Sequence, residues 1–141
     1  MIATKLDAKL ERFQVDMLPV VRDALGALTI IEFSQFLPFA VARLFYVGDV
    51  PPNSVRGQHA HYRCSQYMVC QRGRIRIDVT DGEEDKSVTL SAGHAVLVKP
   101  GIFATETYLD ADSLLMVLCD RPYEKEDYVH TLDEFLKLRR S

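Results

Sequence analysis

The sequence predicts an all-β fold that ends in a helix. Three observations carry this. Short apolar runs recur at roughly 8–12-residue spacing, separated by Gly, Pro, Asn and Asp clusters. One run, Arg74–Thr80, sets Ile75, Ile77 and Val79 against Arg74, Arg76 and Asp78, the period-2 pattern of a half-buried antiparallel strand. The final segment switches to helical spacing. Together they predict an antiparallel β-barrel or sandwich with a C-terminal helix.

Along the chain, Met1–Leu10 is polar and helical in character, and Lys5–Phe13 reads as a short helix. No apolar core followed by small residues marks a signal peptide there. Residues 1–22 are expected to form an N-terminal extension and residues 23–141 the domain proper. Val15–Val21 is apolar, broken by Asp16 and Pro19, and fits an added strand at a subunit edge. Ala27–Phe33 reads as a strand. In the next one, Val41–Val47, the residues Val41, Arg43, Phe45 and Val47 share a face and Tyr46 points the other way. Gly48-Asp49 and Pro51–Ser54 form a loop. Further strands are expected at Ser65–Gln71, Arg74–Thr80, Ser87–Leu90, Ala95–Lys99, Ile102–Tyr108 and Leu114–Cys119, with Gly73 and Asp81–Glu84 as turns. Thr131 fits the N-cap of a helix over Leu132–Arg140, with Glu134 placed as in a capping box. Lys137, Arg139 and Arg140 lie near its C-terminal end, where the helix dipole favours cations.

Composition bounds the function. The chain has 141 residues, room for one domain. A net charge of −3 argues against a nucleic-acid-binding face. No apolar run approaches the roughly 18–20 residues of a membrane span. The three cysteines, Cys64, Cys70 and Cys119, are an odd count without CxxC spacing. They are expected to be free thiols in a reducing cytoplasm.

The most informative string is Arg56-Gly57-Gln58-His59-Ala60-His61. Histidines at i and i+2 on a strand face the same way. Gln66 and Gly73 follow at the spacing of the first motif of a cupin barrel, with glutamine where metal-binding members carry glutamate. Gly93 and Pro100 mark the second cupin region, and Phe103-Ala104-Thr105 stands where its histidine would fall. Two imidazoles, a neutral amide and an alanine make a poor transition-metal set. No metal and no other cofactor is therefore expected. His59 and His61 read instead as acid/base groups, since an imidazole titrates near neutral pH. His94 and His130 stand alone and read as surface or capping residues.

Arg43, Tyr46, the Arg56–His61 string, Gln66, Val69-Cys70 and Gly73, followed by Val98–Pro100, Leu114–Asp120 and Tyr123–Tyr128, resemble the cupin nucleotide-sugar 3,4-ketoisomerases of the WxcM-like, FdtA/QdtA type. The likeness spans residues 23 to about 137. It implies a metal-free, homodimeric jelly-roll barrel that converts a dTDP-linked 4-keto-6-deoxyhexose to its 3-keto isomer through an enediol. An aminotransferase then gives 3-amino-3,6-dideoxy sugars for surface polysaccharides or antibiotics. By the same resemblance His59 is the expected acid/base at carbon and His61 its partner at the oxygens. Arg43 and Arg56 are expected to hold the substrate or its phosphates, with Tyr46 and Gln66 as further pocket residues.

Three pocket positions depart from the family pattern. Phe45 stands where members carry a catalytic tyrosine. Leu25 replaces an Arg or Tyr, and Ala104 a His or Arg. The last two positions govern the face of C4 reprotonation, so the product's configuration and the sugar's identity stay open. So do two other readings, an epimerase using the same histidines and a non-catalytic nucleotide-sugar-binding cupin.

Overall fold

The structure is a computed structural model and describes residues 8–10 and 13–140. Its strands run β1 Asp16–Met17, β2 Val20–Asp23, β3 Gly26–Thr29, β4 Arg43–Val47, β5 Ser54–His61 and β6 Gln66–Arg72. After them come β7 Arg74–Thr80, β8 Asp85–Ser91, β9 His94–Val98, β10 Phe103–Tyr108, β11 Leu114–Cys119 and β12 Tyr128–Val129. A one-turn helix α1, Phe33–Phe36, precedes β4, and α2, Leu132–Arg140, closes the chain. Two five-stranded antiparallel sheets, ordered β1-β9-β6-β11-β4 and β12-β5-β10-β7-β8, form the jelly roll that the sequence predicts.

The core between the sheets is built by period-2 alternation. Ile75, Ile77 and Val79 of β7 meet Met68 and Cys70 of β6, Leu115 and Val117 of β11, and Val96 and Val98 of β9. Burying such side chains supplies the main stabilising term, about 1.5–3 kcal/mol for each large one. The outer face of the first sheet is covered too. Tyr67, Val69, Met116 and Leu118 pack beneath Leu18, Ile31, Phe36, Leu37 and Phe39. That second layer explains why β6 reads as a continuous apolar run rather than an alternating one. At the other side α2 seats Phe135 against Ala60, Phe103 and Val129. Its first turn is capped as expected, the Glu134 amide donating to Thr131 Oγ1 at 3.1 Å.

The N-terminal third departs from the sequence reading. Residues 8–10 and 13 are not helical, and the rest of the expected Lys5–Phe13 helix lies outside the described residues. The Leu10 side chain enters the core. Its amide donates to Asp81 Oδ2 at 3.1 Å and its carbonyl accepts from Lys86 Nζ. Main-chain groups spent on the barrel are not available to a helix. β1 pairs with the edge of β9, so part of segment 1–22 belongs to a barrel sheet. The expected Ala27–Phe33 strand is instead one arm of a β2–β3 hairpin ending at Thr29. Turn chemistry at Asp23–Gly26 makes the hairpin: Asp23 Oδ1 accepts from the Leu25 amide at 2.8 Å, and Gly26 takes φ 136°.

Candidate active site

The two histidines of β5 and the short strand β12 build the site. β12 pairs antiparallel with the end of β5, placing Tyr128 opposite His61 and Val129 opposite Ala60. His59 and His61 face the same way, as the i, i+2 spacing requires, and their rings meet edge to face at 4.9 Å. The Tyr128 ring packs against both, 5.0 Å from His59 and 4.4 Å from His61. His130 stacks on Tyr128 at 5.6 Å, so this histidine flanks the site rather than standing apart. Across the mouth, β4 contributes Arg43, whose guanidinium lies over the rings of Phe45 and Tyr123.

Both imidazoles are fixed as one tautomer. A carbonyl only accepts, so His59 Nδ1 carries the proton that it donates to the Gly57 carbonyl. His61 Nδ1 lies 3.0 Å from Asp127 Oδ2, and both side chains are nearly fully buried. Each ring therefore offers Nε2 as its basic nitrogen, and that of His61 is buried without a protein partner. Burial, then the neighbouring His61, holds the His59 imidazole down to about 4, against its hydrogen bond to Gly57. His61 is also held below the usual imidazole range by burial, with Asp127 pulling the other way. Both are neutral bases at pH 7, but only His61 has a carboxylate to stabilise its cation.

Asp127 is itself anchored. Its carboxylate accepts from the Arg63 amide at 2.7 Å and the Cys64 amide at 3.1 Å as well as from His61. His61, Cys64 and Asp127 offer ligand atoms within 4.8 Å of one another. Both carboxylate oxygens already accept N–H groups, however, which describes an imidazole-positioning carboxylate better than a metal ligand.

Arg43 faces no carboxylate among the described residues. Its Nη2 donates to Cys119 Sγ at 3.5 Å, and Nε is buried without a partner. The Cys64 thiol, then Arg43 and Gln66, pull the Cys119 thiol below the usual thiol range against its burial. All three cysteines are free and buried. An arginine with unspent N–H groups beside two neutral imidazoles and a phenol can bind an anionic or enolic oxygen.

Several expected pocket residues are corrected. Leu25 is 97% exposed at the β2–β3 hairpin tip and lines nothing in this chain, because the turn carries it out into solvent. Tyr46 is 55% exposed, since alternation along β4 sends it away from Arg43 and Phe45. Gln66 is buried, but its amide Nε2 points at Cys119 Sγ, 3.7 Å away, which leaves it to support the floor of the site. Arg56 is exposed, makes no ion pair among the described residues, and sits where β5 meets Glu106 of β10. Phe45 lies beneath Arg43, and Ala104 pairs directly with His59. Asp127 and Tyr128 were not singled out as site residues. Both belong to the Tyr123–Tyr128 string, but only the pairing of β12 with β5 gives them their place. Two surface depressions, of about 240 Å³ beside Lys9 and Phe13 and about 390 Å³ beside Asp78 and Leu132, lie away from the histidines.

This geometry has known counterparts. The sequence model of the FdtA family, described as WxcM-like, C-terminal, matches residues 11–140. The chain is 32% identical over 116 residues to a TDP-4-oxo-6-deoxy-alpha-D-glucose-3,4-oxoisomerase of Aneurinibacillus thermoaerophilus, covering 82% of this chain and 84% of that protein. Among solved structures it resembles a 3,4-ketoisomerase from Helicobacter canadensis, with a TM-score of 0.84, 25% identity, and 92% and 98% of the two chains covered. It also resembles the WlaRB TDP-quinovose 3,4-ketoisomerase of Campylobacter jejuni, with a TM-score of 0.81, 26% identity, and 91% and 99% covered.

Proposed function

The chain belongs to the FdtA family of WxcM-like, C-terminal domains, and from that membership we propose that it is a 3,4-ketoisomerase of a TDP-linked 4-keto-6-deoxyhexose. The single observation that carries the reading is the His59–His61–Tyr128 cluster with Asp127 behind His61, facing an arginine that no carboxylate among the described residues neutralises. The reaction moves protons and changes no oxidation state overall. The C4 ketone acidifies the C3 hydrogen. A base removes it to leave an enediolate over C3 and C4, a proton passes between the oxygens, and C4 is protonated.

His61 is the better base at carbon, which reverses the role first expected of His59. Its Nε2 is free and Asp127 stabilises the imidazolium that forms. The two carbons are bonded neighbours, so one nitrogen can take the proton from C3 and return it to C4. His59 Nε2 and the Tyr128 hydroxyl then serve the two oxygens, and Tyr128 supplies the phenol that Phe45 lacks. Arg43 holds the developing negative oxygen, and exposed Arg56 is placed for the diphosphate.

The product carries a ketone at C3, the functional group an aminotransferase needs to place nitrogen there. The proposed setting is therefore synthesis of a 3-amino-3,6-dideoxy sugar. The proposed working unit is a homodimer. Among the described residues hairpin β2–β3 pairs with no other strand, and it exposes Val21, Leu25 and Leu28. Two strands alone are marginal in water, so a second copy is the expected cover.

The test is proton NMR in deuterated water with TDP-4-keto-6-deoxyglucose. A 3-keto product, absent with His61→Asn, is expected, with deuterium at C4 only to the extent that the proton carried by His61 exchanges with solvent before it is returned. Binding with neither isomerisation nor exchange at C3 would overturn the reading in favour of a binding protein. Exchange without isomerisation would favour an epimerase.

A further inference from the structure

One buried ionisable group has no part in the chemistry above. Glu106 lies on the inward face of β10, between Ala104, the register partner of His59, and Tyr108. It is 6% exposed, and its Oε2 is buried without a partner, as is the Tyr108 hydroxyl. No ion pair among the described residues includes it. Gly57 is where it meets the site. A Cβ on Gly57 would collide with the Glu106 carboxyl, and the Gly57 carbonyl is the group that holds His59 Nδ1. The imidazole and the carboxyl thus lean on the same glycine. The register shift between Ala104 and Glu106 inserts one extra β5 residue there, and Gly57 and Gln58 both take positive φ.

A position that only filled the core would be apolar, as its neighbours Ile75 and Ile77 on β7 are. A buried polar atom left unpaired is destabilising, and a ligand hydroxyl removes that cost by both donating and accepting. We propose that Glu106, with Tyr108 beside it, contacts a ring hydroxyl of the bound sugar and sets which sugar the barrel accepts. The inference rests on the sugar-isomerase reading and deepens it. Burial holds the Glu106 carboxyl up to about 8, against the pull of Arg56, so at neutral pH it both donates and accepts. The titratable groups around it are Arg56 on β5, Tyr108 on its own strand and Cys70 on β6 beyond Tyr108, while β7 presents only apolar residues inward.

The experiment compares wild type, Glu106→Gln and Glu106→Met by calorimetry, with thermal unfolding as the check on folding. The ligands are TDP, TDP-6-deoxyglucose and its ring-deoxy analogues. Glu106→Met is expected to lose about tenfold affinity for TDP-6-deoxyglucose, the worth of one buried hydrogen bond, with TDP affinity unchanged. It should also become indifferent to the loss of one ring hydroxyl. Glu106→Gln, which still donates and accepts, should stay close to wild type at neutral pH and lack the weakening of sugar binding expected of wild type as pH rises through 8. If folded Glu106→Met binds every ligand as wild type does, Glu106 is a buried group satisfied by water alone and the inference falls. Because binding is read separately from turnover, a wild type that isomerises nothing would sink the proposed function and leave this contact standing or falling by itself.

Discussion

His61 Nδ1 and Asp127 Oδ2 lie 3.0 Å apart across 66 residues of sequence, and this contact orients the base of the candidate site. It fixes the tautomer, leaves Nε2 free and places a negative charge where an imidazolium would form. Asp127→Asn is expected to lower kcat by roughly 10²-fold while KM changes little, because the amide can hold the ring but not stabilise its cation. Steady-state kinetics on a folded variant checks this. An unchanged kcat would remove Asp127 from the mechanism.

Tyr128→Phe keeps the ring packed between the histidines and deletes only the hydroxyl. A fall in kcat of about tenfold to hundredfold is expected, with deuterium exchange at C3 less affected than product formation, since the phenol serves an oxygen rather than the carbon. Equal loss of both would move Tyr128 to the carbon step.

Two buried groups set opposite stability trends with pH. Unfolded His59 takes a proton near pH 6.5, the folded residue only near 4, so its contribution is present above 6.5 and lost as pH falls toward 4. Unfolded Glu106 ionises near 4.5 and the folded residue near 8, so its contribution is present below 4.5 and lost as pH rises to 8. Urea midpoints measured from about pH 4 to pH 9 should therefore decline at both ends. Glu106→Gln should remove the alkaline decline. Parallel decline in wild type and variant would mean that the buried carboxyl is already ionised.

Gly57→Ala is expected to destabilise by about 2 kcal/mol or more, since alanine must adopt positive φ and its methyl meets the Glu106 carboxyl. Adding Glu106→Ala should recover the steric part only. Strict additivity in this double-mutant cycle would contradict the contact.

Much of the fold was legible because its signals are local. Alternation in Arg74–Thr80 and the Thr131 cap are written within a few residues, and strand β7 and helix α2 form where those signals stand. The N-terminal third is not legible in the sequence because its residues answer to distant partners. Leu10 gives its main chain to Asp81 and Lys86, and Leu18, Leu37 and Phe39 cover the outer face of a sheet that forms later in the chain.

By itself, the sequence determined an all-β barrel, a closing helix and a pair of histidines on one strand face, because side-chain period and spacing are properties of the chain alone. Tertiary structure decided the rest of the site. Tyr128, Asp127 and Arg43 reach those histidines, and Glu106 reaches Gly57, only through strand pairing and register, which turn on non-local hydrogen bonds. The same geometry put Leu25 and Tyr46 outside, since a hairpin turn and a one-residue alternation decide which side of a sheet a side chain sees.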